Sequence, residues 1–330
     1  MQLNSKPKIP IWAVTLKGSL QMATQIYSHP TCIEHDPGAH HPECPDRLRS
    51  VLAGLDEDEF RYLERLEANE INLDTIAAVH GSAYIENVLD NMPTEGRVSL
   101  DTDTILSPAS GEAARRASGG AVDAVNAVIG KKTDNAFCAV RPPGHHAEAS
   151  SAMGFCLFNS AAIAAFHARS AHGLERVAVI DFDVHHGNGT QHSFQNEPGL
   201  FYGSSHQFPA YPGTGVKSET GIANNICNMP LSPGSGSAEF RKAYLNGILP
   251  VLRHFEPELV IISAGFDAHT RDPLADLNVQ TDDYAWVTRQ LMNVADECCE
   301  GRVVSLLEGG YDLDALRDSA MTHVRTLMDV

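Results

Sequence analysis

Short continuous apolar runs alternate along the chain with longer stretches in which apolar residues recur at helical spacing. The runs at 26–27, 136–140, 177–183, 199–204, 259–263 and 303–307 predict strands. The stretches at 47–55, 57–67, 74–80, 84–92, 110–129, 159–170, 238–255, 281–300 and 317–328 predict helices. Residues 98–107 are polar and read as a loop, and Gly130 stops the Ala-rich helix before it. Strands that are apolar throughout and alternate with helices predict a mainly parallel sheet covered on both faces, the α/β class. No linker, internal repeat or low-complexity segment divides the chain, which reads as one domain. In open sheets of this kind ligands bind beyond the carboxyl ends of the strands.

That edge is where the chemistry-bearing residues collect. The run at 177–183 ends in Asp181-Phe182-Asp183-Val184-His185-His186-Gly187-Asn188-Gly189. Side chains two apart in an extended segment point the same way, so Asp183 and His185 converge, with Asp181 one step behind. A carboxylate and an imidazole so placed suit a metal such as zinc. A polar turn capped by Asp and Asn is the plainer alternative. Asp267, after the run at 259–263, stands at the same edge and completes a three-ligand set with an open position, the mark of catalytic zinc. Taken alone, it would also suit a helix N-cap.

His145-His146 follows Arg141-Pro142-Pro143-Gly144. Adjacent residues of an extended loop point apart, so a bend there is needed for both to reach one site. One could act as base and the other as acid, oriented by Asp181 and Asn188. Tyr311, behind Gly309-Gly310, could donate to a developing oxyanion. Phe155 after Gly154, and Tyr211 ahead of Pro212-Gly213-Thr214-Gly215, could wall a narrow slot. His80, His167, His172 and His254 have no such context and read as packing or surface groups.

The formal charge of −18 disfavours nucleic acid and anionic membranes and would attract cationic substrates. Seven scattered cysteines, with no C-x-x-C pair, suit a reducing cytoplasm. No apolar run reaches the roughly 18 residues of a membrane span. Met22 reads as a natural start, which makes 1–21 a leader or tag-like extension and 22–330 the functional domain. Oligomeric state is open.

Together these motifs resemble the histone deacetylase superfamily, which also includes bacterial acetylpolyamine amidohydrolases and acetoin-utilisation proteins. The matching pieces are His41-Pro42-Glu43 with Arg47, the 141–146 segment, Gly154-Phe155-Cys156, the 181–189 segment, Pro212-Gly213-Thr214-Gly215, Ser263-Ala264-Gly265-Phe266-Asp267 and Glu308-Gly309-Gly310-Tyr311. They run in family order from about residue 26 to the C-terminus. The resemblance implies an arginase/deacetylase-like fold and zinc-dependent removal of acetyl or another short acyl group from a lysine-like or other amine.

Carried over by motif, Asp183, His185 and Asp267 would bind zinc. His146 would be the principal base and acid, with His145 its electrostatic partner backed by Asp181, and Tyr311 would polarise the carbonyl. Phe155 and Tyr211 would flank the acyl tunnel, with Leu274 near its floor. A potassium ion would lie between Asp181, the carbonyls of Asp183 and His185, and Ser204. Arg47 would border an internal cavity for acetate. Asn188 stands where class I deacetylases carry Asp, as in class II enzymes and their bacterial relatives. Leu274 replaces the Glu of the polyamine-selective eukaryotic branch. Either Asp101 or Asp103 would hold the substrate at the rim. The alternatives are an acetylpolyamine or small acetyl-amine deacetylase, a two-metal ureohydrolase, and an inactive acyl-lysine reader.

Overall fold

The structure, a computed structural model, describes residues 24–329. The proposed 1–21 extension lies outside them. Ten strands follow in chain order: β1 Gln25–Ser28, β2 Glu64–Glu67, β3 Val98–Ser99, β4 Ile105–Leu106, β5 Asn135–Cys138, β6 Val177–Asp181, β7 Leu200–Gln207, β8 Ile226–Leu231, β9 Leu259–Ala264 and β10 Val303–Leu307. Eight of them form one parallel sheet in the order β2-β1-β5-β10-β9-β6-β7-β8. Every residue of β5, β6, β7, β9 and β10 is buried, as strands between two helical layers must be.

The long helices Ser110–Ile129, Ser160–His172, Thr281–Cys299 and Leu313–Leu327 cover the sheet. Local signals set their ends. Asn159 caps its helix by accepting the Ala162 N–H, and Asp312 accepts that of Ala315. Gly173 closes the first of these in the left-handed conformation. The expected helix over 238–255 is present with a π-turn, Tyr244–Ile248, in its middle.

Two expectations are corrected. Residues 57–67 are not a helix: a 3-10 turn, Asp58–Phe60, leads into β2, which pairs in register with β1 from Gln25↔Glu64 to Ser28↔Glu67. Pairing with a neighbour distant in sequence overrides the local helical pattern there. Residues 98–107 are not a plain loop but a β3–β4 hairpin, with Asp101 Oδ1 accepting the N–H groups of Asp103 and Thr104 at 2.9 and 2.7 Å. The strand β8 and the short helices Thr31–Glu34 and Asn188–Phe194 carried no clear pattern.

The strand order decides where chemistry can occur. β5, β10, β9 and β6 are consecutive neighbours at the centre of the sheet. The segments that leave them carry His145-His146, Tyr311, Asp267 and Asp183-His185. Four stretches spread over more than half the chain therefore meet at one edge.

Candidate active site

At the end of β6 the chain leaves the sheet and turns. His185 Nδ1 comes to 3.1 Å from both Asp183 Oδ1 and Asp267 Oδ2. One donor atom from each of the three residues lies within 4.8 Å of the others. Backbone groups aim the carboxylates: Asp183 Oδ2 accepts the Gly309 N–H at 2.8 Å, and Asp267 Oδ1 accepts that of Val184 at 2.7 Å. A Cβ on Gly309 would overlap both carboxylates, so the backbone of the β10 exit can close over the cluster only without a side chain. No helix starts at Asp267, so the capping alternative has no helix to serve.

The donor set fits a divalent cation. Burial and the Asp183 charge push Asp267 up to about 7. Burial would lower His185, yet hydrogen bonds to Asp183 and Asp267 hold it at about 10. Two buried carboxylates around one imidazole thus call for positive charge, and oxygen and nitrogen donors in this mix suit zinc.

The paired histidines occupy the middle of a turn closed by the Ala147 N–H on the Gly144 carbonyl, 3.0 Å. This is the bend that lets both rings face one site, their centroids 4.0 Å apart. His145 Nδ1–H donates to Asp181 Oδ2 at 3.0 Å, and His146 Nδ1 lies 2.7 Å from Asn188 Oδ1. Burial works against charge on both rings, and the outcomes differ. The carboxylates of Asp183 and Asp181 hold His145 well above its ordinary value. His146, beside the cationic rings of His145 and His185, is driven well below it. The two rings therefore divide into a resident cation and a neutral imidazole.

Tyr311 is held through its surroundings. Its N–H donates to Asp272 Oδ2 at 2.7 Å, and the Arg47 guanidinium lies 4.9 Å from its ring centroid. Burial keeps its hydroxyl protonated far into alkali. Phe155 packs edge-on between Tyr311, 5.9 Å away, and His41, 4.8 Å away. Tyr211 stands against His146 and His185 at 5.2 and 6.1 Å, with 42% of its surface exposed. Gly154, at φ 56°, packs so closely on His146 that a Cβ would strike the imidazole.

Other expected residues lie apart from the reacting groups. Leu274 is 40% exposed, a surface position at odds with the expected place at a tunnel floor. Asp103 accepts the Gly154 N–H at 3.0 Å and Asp101 braces the hairpin, so each carboxylate spends one oxygen on the loop. Arg47 is fully buried, with Nε on the Gly310 carbonyl at 2.6 Å and Nη2 on that of Glu308 at 2.5 Å. Ser204 pairs with Asp181 across β6–β7, but its hydroxyl contacts His206 Nδ1 at 2.9 Å. The carbonyls of Asp183 and His185 accept no hydrogen bond among the described residues, which suits a cation there.

Several supporting residues had no signal in spacing. Glu43 gathers Arg47, Arg141 and His35 in a buried cluster. Glu308, raised to about 7 by burial, accepts the N–H groups of Gly144 and His145 at 2.7 and 3.2 Å. Its place directly after an apolar strand, at the head of the Glu308-Gly309-Gly310-Tyr311 motif, was its visible mark. His80 is a packing group, as expected: buried, it bridges the Glu148 carbonyl at 2.8 Å and the Asn159 N–H at 2.9 Å.

Comparison with known proteins places this geometry. The family model of the histone deacetylase domain matches residues 41–327. An uncharacterised protein of Synechocystis is 40% identical over 311 residues, covering 93% of this chain and all of that protein. Histone deacetylase 14, chloroplastic, of Arabidopsis thaliana is 36% identical, over 93% of this chain and 77% of its own. The crystal structure of the HDA15 HD domain superposes with a TM-score of 0.87 at 34% identity, covering 93% of this chain and 88% of that one. The fold is the arginase/deacetylase fold, and the chain belongs to the histone deacetylase family. Family and fold together support a deacetylase, and hence a hydrolase.

Proposed function

We propose that the protein is a zinc-dependent amidohydrolase that removes acetyl or another short acyl group from lysine-like or other amines. The observation that carries this reading is the meeting of Asp183, His185 and Asp267 with a neutral His146, a cationic His145 and a protonated Tyr311 at one sheet edge. Zinc held by the three ligands would polarise the amide carbonyl and lower the pKa of the attacking water to about 7.

The chain's own groups do the rest. His146, with its Nδ1 engaged by Asn188, offers Nε2 to take the water's proton. The Tyr311 hydroxyl donates to the carbonyl oxygen as charge builds on it. His145 supplies fixed positive charge beside it, anchored by Asp181. As the C–N bond breaks, the proton on His146 passes to the departing amine, leaving free amine and carboxylic acid. Phe155 and Tyr211 give the acyl chain two aromatic walls. Potassium between Asp181, the two unpaired carbonyls and Ser204 would steady the β6 exit.

A second substrate class, acetylated polyamines, is favoured by the Asp101–Asp103 pair beside Gly154 and by the net charge of −18. Seven free cysteines support a reducing, cytoplasmic setting. Acetate release should be measured over acetyl-lysine peptides, acetylpolyamines and small acetylated amines, before and after metal stripping and with zinc restored. Release that falls on stripping and returns with zinc is expected. No release from any substrate, or release indifferent to metal, would refute the reading.

A further inference from the structure

Glu148 follows the paired histidines by two residues, and its backbone is clamped. Its N–H donates to the Ser151 carbonyl at 2.9 Å, and its own carbonyl accepts from His80 at 2.8 Å. The carboxylate reaches Asn188 and His192. Oε1 accepts the Asn188 Nδ2–H at 2.5 Å, and both oxygens lie 2.7 Å from Nδ1 of His192, one helical turn beyond Asn188. The Glu148 side chain is 18% exposed and that of His192 51%, so this connection runs from the protein surface to Asn188.

The two ends of an amide have opposite roles. Asn188 Nδ2 faces the Glu148 carboxylate and, at 3.2 Å, the His146 carbonyl, and both of these can only accept. Its Oδ1 is therefore the end turned to His146 Nδ1. An amide oxygen cannot donate, so Nδ1 carries the proton and Nε2 keeps the lone pair.

We propose that Glu148 is a positioning residue: its carboxylate fixes the orientation of the Asn188 amide and so selects the His146 tautomer able to accept a proton at Nε2. His192 secures Glu148 from the surface side. Without the carboxylate the amide can turn over, present N–H to Nδ1 and select the tautomer protonated at Nε2, which cannot act as a base. The consequence for turnover rests on the amidohydrolase reading, whereas the tautomer does not depend on it.

The test uses zinc-loaded protein with ¹⁵N-labelled histidine rings. Long-range ¹H–¹⁵N spectra report which nitrogen is protonated, and His146→Gln assigns the signal. Wild type should show the Nδ1–H form. Glu148→Gln should keep it, because the new carbonyl still accepts from Asn188, with kcat within about threefold of wild type. Glu148→Leu should shift the ring toward the Nε2–H form and lower kcat by about 10–100-fold, with KM changed less than about twofold and zinc content intact. If Glu148→Leu does not fold, Glu148→Ser at this partly exposed position reads the same signal. A truncation variant that retains the Nδ1–H tautomer overturns the proposal. Glu148-dependent tautomers in a protein that releases no acetate would overturn the amidohydrolase reading instead.

Discussion

Replacing Glu43 with Gln tests whether the buried ion cluster beneath the Tyr311 loop holds the site together. Glu43, Arg47 and Arg141 are all fully buried. The Glu43 carboxylate accepts Arg47 Nη1 at 2.9 Å and Arg141 Nη2 at 2.7 Å, with a further bond from Arg141 Nε and His35 Nε2 at 3.2 Å. Glu43→Gln keeps the shape but leaves two guanidinium charges with only carbonyl partners. Removing one member of a buried ion pair costs about 3–5 kcal/mol. At roughly 2–3 °C per kcal/mol for a chain of this size, the melting temperature should fall by roughly 6–15 °C at neutral pH.

The loss has a pH signature. Burial alone would raise the Glu43 carboxyl, yet the Arg141 charge and the His35 contact hold it well below the ordinary carboxylate range. Between its depressed folded value and the unfolded value of about 4.3, the unfolded chain binds more protons, so stability rises with pH there. The Glu43 contribution is complete above about 4.3 and is lost as pH falls through the folded value. Calorimetric melts of wild type and Glu43→Gln from pH 7 downward should therefore converge in acid. A melting temperature within about 2 °C of wild type at pH 7, or a gap independent of pH, would refute the argument.

Tyr311→Phe should bind zinc as wild type does but lose about 10²–10³ in kcat, and near-normal turnover would remove the hydroxyl from the reaction. Stripping metal should lower the melting temperature, since two buried carboxylates and the imidazole beside them then lack a cation, and zinc at about 100 times its dissociation constant should restore about 2.7 kcal/mol. Equal melts with and without zinc would deny a folded-state site. His80→Leu leaves the Glu148 carbonyl and Asn159 N–H unpaired, at a cost of about 1–3 kcal/mol for each. Because burial lowers His80 to about 4, its wild-type contribution is full at neutral pH and declines as pH falls below about 6.5 toward 4, so denaturant melts of the two proteins should draw together over that window.

The central strands were readable because burial on both faces leaves an unbroken apolar run, as in Val303–Leu307 and Leu259–Ala264. Within the eight-stranded sheet the two strands that were not read, Glu64–Glu67 and Ile226–Leu231, are its two edges. The first is largely exposed and the second only alternately buried, so their extended form comes from a neighbour distant in sequence. The site divides along the same line. Asp183 and His185 lie two residues apart, so local spacing revealed them, and Asp267 and Tyr311 followed once the strands were aligned. Glu43 on Arg141, Glu148 on Asn188, Asp272 on Tyr311 and Glu308 on Gly144 act across 39 to 164 positions, a relation that leaves no periodic trace.

Asp183, His185, Asp267 and Tyr311 are thus set by their own strand ends, whereas Asp272 and Glu308 are set by the meeting of those ends. Glu308 makes this concrete: leaving β10, it grips the turn that follows β5 and takes Ser263 Oγ of β9 at 3.3 Å. One buried carboxylate thereby ties the histidine pair to the strands that carry Asp267 and Tyr311. Loss of any one of these strand exits would loosen the others, and for that reason the roles of Asp272 and Glu308 emerged only with the sheet assembled, whereas Asp181 and Asn188 stand inside the β6 motif and could be read from it.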